Sequence, residues 1–150
     1  MANIVPYAFK GELMSGTHNF SAGGNTFFLA LYTSNPYAAA SSTVYVTTNE
    51  VSSGGGSNYS AGGKQLQNQS VDSSTATTAV DFDNLTWGAA TTGAATFGAA
   101  FAAIYNSTNS NKLVVVLDFG GTKTATNGDF TIAFPSTATP SNAILSLTSS

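Results

Sequence analysis

The chain has no arginine, no cysteine, one histidine (His18) and four lysines (Lys10, Lys64, Lys112 and Lys123) in 150 residues. Charged residues make up 7% of it, where about a quarter is usual for a soluble domain. Each shortage removes a class of function. Without arginine, and with four scattered lysines set against seven acids, no basic face is available for phosphate contacts, so nucleic-acid binding is not expected. Without cysteine there are no disulfides and no thiolate metal sites. A single histidine leaves one side chain that changes charge near neutral pH. No apolar run approaches 18 residues, so no membrane-spanning helix is expected. The opening stretch MANIVPYAFKGELMSG lacks the basic start, long apolar core and small-residue cleavage site of a secretory signal. Synthesis and assembly in a cytoplasm are therefore expected.

What remains is 42% hydrophobic residues and a polarity supplied by Ser, Thr, Asn and Gly. Ordinary hydrophobicity with low net charge is the composition of a folded chain, not of a disordered one. The length suits one domain over residues 1–150, large enough for a real core. A net charge of −3 gives little self-repulsion, so dense association is permitted.

The apolar pattern predicts one helix over Pro6–Ser15, with Pro6 at its first position, an uneven apolar face of Tyr7, Phe9, Leu13 and Met14, and Gly16 as the stop. Strands are expected at Thr26–Thr33, Lys64–Val71, Thr75–Phe82, Leu85–Trp87, Thr96–Ser107, Lys112–Phe119, Phe130–Phe134 and Ala143–Leu147, with helix as the alternative for the alanine-rich Thr96–Ser107. Val44–Thr47 reads as a short strand or an extended loop. Ala89–Ala95 reads as a connection, Gly120–Gly121 as the end of a strand and Asn127–Gly128 as a turn. Ser52–Gly63 is the stretch whose glycines make order most costly. The fold class expected is mainly β, an antiparallel β-sandwich with one short N-terminal helix. Its core is expected to include Phe28, Leu29, Leu31, Val80, Phe82, Trp87, Val114, Val116, Ile132 and Phe134, with Val114 and Val116 on one inward face. Asn19–Gly24 (NFSAGG) and Asn58–Gly63 (NYSAGG) differ by one aromatic residue and read as two similar turns.

Candidate chemistry is sparse. His18 is the one neutral-pH base, and no nucleophile or orienting acid can be assigned to it from the sequence, so a satisfied or exposed histidine is expected. Asp81 and Asp83 alternate, which would aim both carboxylates to one side of a strand and toward a hard cation, but the glycine and distal glutamate of a calcium loop are missing. Asp72, Asp81, Asp83 and Asp118 offer no spacing that selects a pair for glycoside hydrolysis, and Trp87 alone gives little surface for sugar stacking. Gly54–Gly56 lacks the Gly-Lys-Ser/Thr of a phosphate loop. No catalytic, cofactor-binding or metal residue is assigned, no cofactor is expected, and the protein is not read as an enzyme. Tyr37, Tyr45 and Tyr59, in or near the Ser/Asn/Gly-rich loops, form the kind of palette that recognition surfaces use.

The order of landmarks carries more than any one of them. Phe9-Lys10-Gly11-Glu12-Leu13-Met14-Ser15-Gly16 is followed by Ala30-Leu31-Tyr32-Thr33-Ser34, Asn49-Glu50-Val51 and Asn58-Tyr59-Ser60-Ala61-Gly62-Gly63-Lys64-Gln65-Leu66. Then come Val80-Asp81-Phe82-Asp83-Asn84-Leu85-Thr86-Trp87, Ala102-Ala103-Ile104-Tyr105-Asn106, Leu117-Asp118-Phe119-Gly120 and Asn127-Gly128-Asp129-Phe130-Thr131-Ile132. This series resembles a family of small bacteriophage virion structural proteins, with departures in the alanine-rich Ala89–Ala95 and in the lack of arginine. The resemblance implies a non-enzymatic virion component with no catalytic residues. The expected role is a head decoration or cement protein, a homo-oligomer bound to other virion proteins such as the major capsid protein, located in the virion. A tail, fibre or adaptor subunit is the neighbouring alternative, and a module binding a host-surface glycan or protein is the other.

Overall fold

A computed structural model describes residues 3–37, 41–90, 93–136 and 138–149. Strands account for 41% of the chain and helix for 7%, so the expected mainly β class with antiparallel sheets holds. Among the described residues one α-helix, α1, spans Tyr7–Met14. Pro6 stands one position earlier than the sequence suggested, as an extended N-cap with no N–H to lose. The helix stops at Gly16 (φ +76°), where the Gly16 N–H bonds the Leu13 carbonyl and the Thr17 N–H bonds that of Glu12. That pair of bonds is a Schellman motif, which requires a residue in the left-handed region. Phe9 and Leu13, four apart, face the core. Tyr7 and Met14 do not join them. They lie on the opposite stripe and are 69% and 90% exposed, as the helical period dictates.

Among the described residues nine strands follow: β1 (Phe27–Tyr32), β2 (Lys64–Gln65), β3 (Ser70–Asp72), β4 (Thr77–Asp81), β5 (Leu85–Trp87), β6 (Ala95–Asn106), β7 (Lys112–Gly128), β8 (Phe130–Ile132) and β9 (Leu145–Thr148). They make a four-stranded sheet ordered β2-β1-β6-β7, a three-stranded sheet β3-β4-β9 and a pair β5-β8, with every pairing antiparallel. The large sheet is covered on both faces. On one face Phe27, Leu29, Leu31, Ile104 and Val115 join Phe82, Leu85, Trp87 and Phe130 from the smaller sheets and their links. Val80, Ile132 and Phe134 pack partly buried against this core. On the other face Tyr32, Tyr37, Tyr105, Leu113 and Val116 form a second cluster, against which Ile4, Phe28 and Val46 pack. Two-sided burial explains why β1 and β6 are nearly continuous apolar runs with no polar alternation.

Several expectations are corrected. Lys64–Val71 is not one strand. Asn68 takes φ +51° and turns the chain from β2 in one sheet to β3 in another. Gly120 and Gly121 do not end β7. They adopt φ +70° and +137° inside a bulge, after which pairing with β6 resumes at Ala99↔Lys123. Glycine permits the detour because it has no Cβ to clash at positive φ. Val114 and Val116 do not share a face. Ile104 pairs with Val115 but Tyr105 with Leu113, so Val114 is an extra residue and the alternation slips by one. Val114 consequently joins the first core and Val116 the second. Asn127–Gly128 is not a turn: Asn127 takes φ +52° in a further bulge within β7, Gly128 still pairs with Ala95 of β6, and β8 pairs with β5. Val44–Thr47 is an extended loop with a single bridge, Val44↔Lys112. Of the Ala89–Ala95 connection, positions 91 and 92 lie outside the described residues.

Candidate functional site

His18 is buried beneath α1 with both ring nitrogens engaged. Its Nε2 lies 3.0 Å from Glu12 Oε2 and its Nδ1 3.0 Å from Asn106 Nδ2. Asn106 Oδ1 accepts the Asn109 N–H, which fixes the amide so that its NH2 faces His18 and Asn25 Oδ1. Nδ1 is then the acceptor, and Nε2 carries the proton and donates it to Glu12. Lys112 Nζ donates to the other Glu12 oxygen at 2.5 Å. Burial works against ionised Glu12, but the hydrogen bonds from Lys112 and His18 and the Lys112 charge outweigh it and hold the carboxyl below its ordinary range. No free lone pair on the ring is aimed at solvent. His18 is the satisfied histidine that the sequence suggested, here joining the helix to the β6–β7 turn.

The carboxylates are likewise spent on local structure. Asp81 Oδ1 accepts the Phe82 N–H at 2.9 Å, and Asp83 Oδ2 accepts from Asn68 at 2.6 Å. Asp72 binds the Ser74 N–H, Asp118 the Gly120 N–H inside the β7 bulge, and Asp129 the Ala89 N–H. Among the described residues no three His, Cys, Asp or Glu side chains converge as a metal site would require. Trp87 is fully buried and offers no stacking face to a sugar. Gly54–Gly56 tops a loop closed at its base by Ser57, whose hydroxyl donates to the Ser52 carbonyl at 2.7 Å.

Tyr37, Tyr45 and Tyr59 are brought together, but inward. Tyr37 and Tyr59 are each 2% exposed. Tyr45 and Tyr59 meet at Glu50, a residue to which the sequence attaches no role, whereas Tyr37 bonds the Tyr32 hydroxyl and the Val46 N–H. Glu50 Oε2 accepts the Tyr45 hydroxyl, and its Oε1 accepts the Tyr59 hydroxyl and the Gly62 N–H, each at 2.7 Å. The Tyr59 oxygen in turn accepts the Leu31 N–H at 3.0 Å, on the edge of β1. Tyr105 donates to the Gly62 carbonyl, and Tyr32 to the Val46 carbonyl. The remaining proton, on Tyr37, therefore points to Tyr32 across 2.8 Å. Burial raises the pKa of Tyr32, Tyr37, Tyr45, Tyr59 and Tyr105, and the Glu50 charge adds to it; Tyr105 is pushed up to about 12. The only advance signal was scarcity. The chain has two glutamates, Glu12 and Glu50, and each holds a polar cluster.

Two surface features remain unspent. A groove of about 250 Å³ between the 22–26 turn and residues 65–69 is lined by Asn25, Thr26, Gln65, Gln67, Asn68 and Gln69, with no charged group. A second groove, about 410 Å³, runs between β7 and β8. No family model matches the chain, and neither a curated protein nor a solved structure shows significant similarity to it.

Proposed function

We propose that the protein is a non-enzymatic bacteriophage virion component that stabilises the assembled head as a decoration or cement protein. The observation that carries this reading is how the polar groups are used. Glu12, His18, Glu50 and the buried tyrosines hold segments of the fold to one another, while the surface is built of neutral hydroxyls and amides. Such a body acts through area, not through a pocket. Contact that exists only between assembled subunits stabilises the assembled state by mass action. The order of sequence landmarks resembling phage structural proteins supports the same reading, with a tail, fibre or adaptor subunit as the neighbouring version of it. The partners are then other virion proteins, and association among copies follows from weak self-repulsion.

Imaging purified particles and counting copies tests this. Many evenly spaced copies on the shell are expected, together with a lower disassembly temperature for particles lacking the protein. A few copies at one vertex would move it to the tail, and none would end the virion reading. Retention should survive molar sodium chloride, because 11 formal charges leave few ion pairs to screen and each exposed pair is worth ~0–1 kcal/mol.

One observation favours a glycan-binding module instead. In the groove beside the 22–26 turn the exposed Gln65 and Gln67 amides carry neutral donors and acceptors suited to sugar hydroxyls, while Asn25 and Gln69 are bonded within the fold. The buried Tyr37 and Tyr59 cannot supply its stacking surface. Binding of the isolated protein to host cells, abolished by Gln67→Ala, would select that reading.

A further inference from the structure

We propose, building on the reading of this protein as a docking component, that the outer edge of β7 accepts an extended, carboxylate-bearing segment of another polypeptide as an added strand. β7 is the outermost strand of the four-stranded sheet. Its first half is already covered by the chain itself. Leu113 N–H bonds the Thr43 carbonyl, and Ile4 exchanges two 2.8 Å backbone bonds with Val116. The Asp118 N–H is taken by Asn3 Oδ1. Beyond Asp118 the cover stops. Among the described residues, no backbone bond joins the outer edge of 119–128 to another segment. A row of unpaired N–H and C=O groups is a template for another strand, and the Ile4–Val116 bridge shows the antiparallel mode this edge takes.

The surroundings specify the guest. The groove beside this edge, about 410 Å³, is lined by Phe119, Lys123 and Thr124 on one side and by Asp129, Phe130 and Ile132 on the other, the Asp129 carboxylate accepting the Ala89 N–H. The Phe119 and Phe130 rings lie 6.4 Å apart, and Ile132 packs partly buried against the same core. Alternate apolar side chains of an inserted strand would extend that core, since successive residues point to opposite faces. Charge sets the rest. Lys10 sits over Tyr7, Lys64 bonds the Thr86 carbonyl and Lys112 pairs with Glu12. Lys123, at the groove, has no such partner among the described residues. A lysine on an edge strand opposes pairing with an identical strand, because a two-fold arrangement brings the lysines together. A guest with a carboxylate converts that repulsion into an ion pair. The edge is thereby selective for a different, acidic segment over a second copy of itself.

The probe is a blocked TVEVTV peptide added to the intact protein, with TVKVTV as its control. Amide NMR and hydrogen exchange provide the readout. Slowed exchange confined to 123–128 is expected, with the glutamate peptide binding about fivefold more tightly. The exposed substitution Lys123→Glu should reverse that preference while leaving the spectrum of the core unchanged. No effect on these amides with either peptide at millimolar concentration overturns the proposal. Equal binding of both peptides overturns the carboxylate requirement, and protection that rises with protein concentration alone makes a second copy the occupant and overturns it too. Particle retention is measured separately. Retention that survives both Lys123→Glu and excess TVEVTV leaves the virion reading standing and rejects only this edge as its docking site.

Discussion

Removing one oxygen atom tests how the fold is held. Tyr59→Phe keeps the ring, whose contacts with Trp87 and Phe97 (centroids 5.9 and 5.7 Å away) need no hydroxyl. It also converts Asn58–Gly63 into NFSAGG, the sequence already present at Asn19–Gly24. The two segments form the same turn: Gly24 N–H bonds the Ser21 carbonyl as Gly63 N–H bonds that of Ser60, and Gly23 and Gly62 both take positive φ. Both aromatics enter the same core. The second segment differs because its hydroxyl bridges the Leu31 N–H and Glu50. Loss of that bridge leaves a buried backbone donor unpaired, which costs about 1–3 kcal/mol, and removes a hydrogen bond to a charged group worth about 1.5–3 kcal/mol. The two terms share one atom and are not fully additive, so about 3 kcal/mol is expected.

Urea unfolding supplies the measurement. The midpoint should fall with the slope unchanged, since the surface buried is the same. A cycle with Glu50→Gln should show strong coupling between the two sites. A Tyr59→Phe variant within about 0.5 kcal/mol of the parent would refute the reasoning, because water or a small backbone shift would then be satisfying Leu31 without the bridge.

Val114→Ala and Val116→Ala should each cost about 1–3 kcal/mol and sum in the double variant, because the bulge sends them into different clusters; a double variant much milder than the sum would show one shared cluster. Gly63→Ala should prevent folding, since its Cβ would stand 1.9 Å from the Leu29 carbonyl oxygen, whereas Gly56→Ala, with open space around it at φ +76°, should lose about 1–2 kcal/mol of unfolding free energy. Glu12 is held below its ordinary pKa of 4.5 in the folded state, so its contribution is present above that pH and lost as pH falls through the lower folded value; Glu12→Gln should flatten the acid limb of stability against pH. Tyr32, Tyr37, Tyr59 and Tyr105 are raised above 10.0, so their contribution is complete below pH 10 and declines above it by roughly 1.4 kcal/mol per tyrosine per pH unit; cooperative unfolding near pH 11–12, followed by tyrosinate absorbance, is expected, and ionisation of these four in a still-folded chain would contradict it.

The strands with two buried faces were legible because an unbroken apolar run such as FFLALY or KLVVVLDF fits little else. What the pattern could not carry was phase. One extra residue at Val114 reassigns every side chain beyond it, and nothing in Leu-Val-Val-Val-Leu marks which valine is extra. Gly120–Gly121 and Asn68 posed the opposite difficulty. The residues that permit a positive φ were visible, but whether the chain uses that freedom to stop, to bulge or to change sheets depends on which distant strand waits alongside. The polar sites were legible in one direction only. His18 could be read as satisfied without naming Glu12 and Asn106, 88 residues away in the latter case, as its partners.

Glu50 shows why function resists reading from such a chain. A carboxylate receiving two tyrosine hydroxyls and a backbone N–H has the composition of a catalytic or binding centre. Here every donor comes from the fold itself, and the three converging tyrosines turn their rings into the core. The same groups that would have signalled recognition close the long 41–63 region onto the edge of β1 and deny that edge to other strands. The consequence for assembly lies at the other side of the sheet. With the β1 edge beyond β2 sealed by Tyr59, Val51 and Asn49, and the first half of β7 sealed by Ile4 and Thr43, Phe119–Gly128 is the long uncovered stretch of edge in the four-stranded sheet, against two residues in β2 at its other side. On the β7 side of that sheet, strand pairing is thereby confined to the half that lies beside the groove holding Lys123.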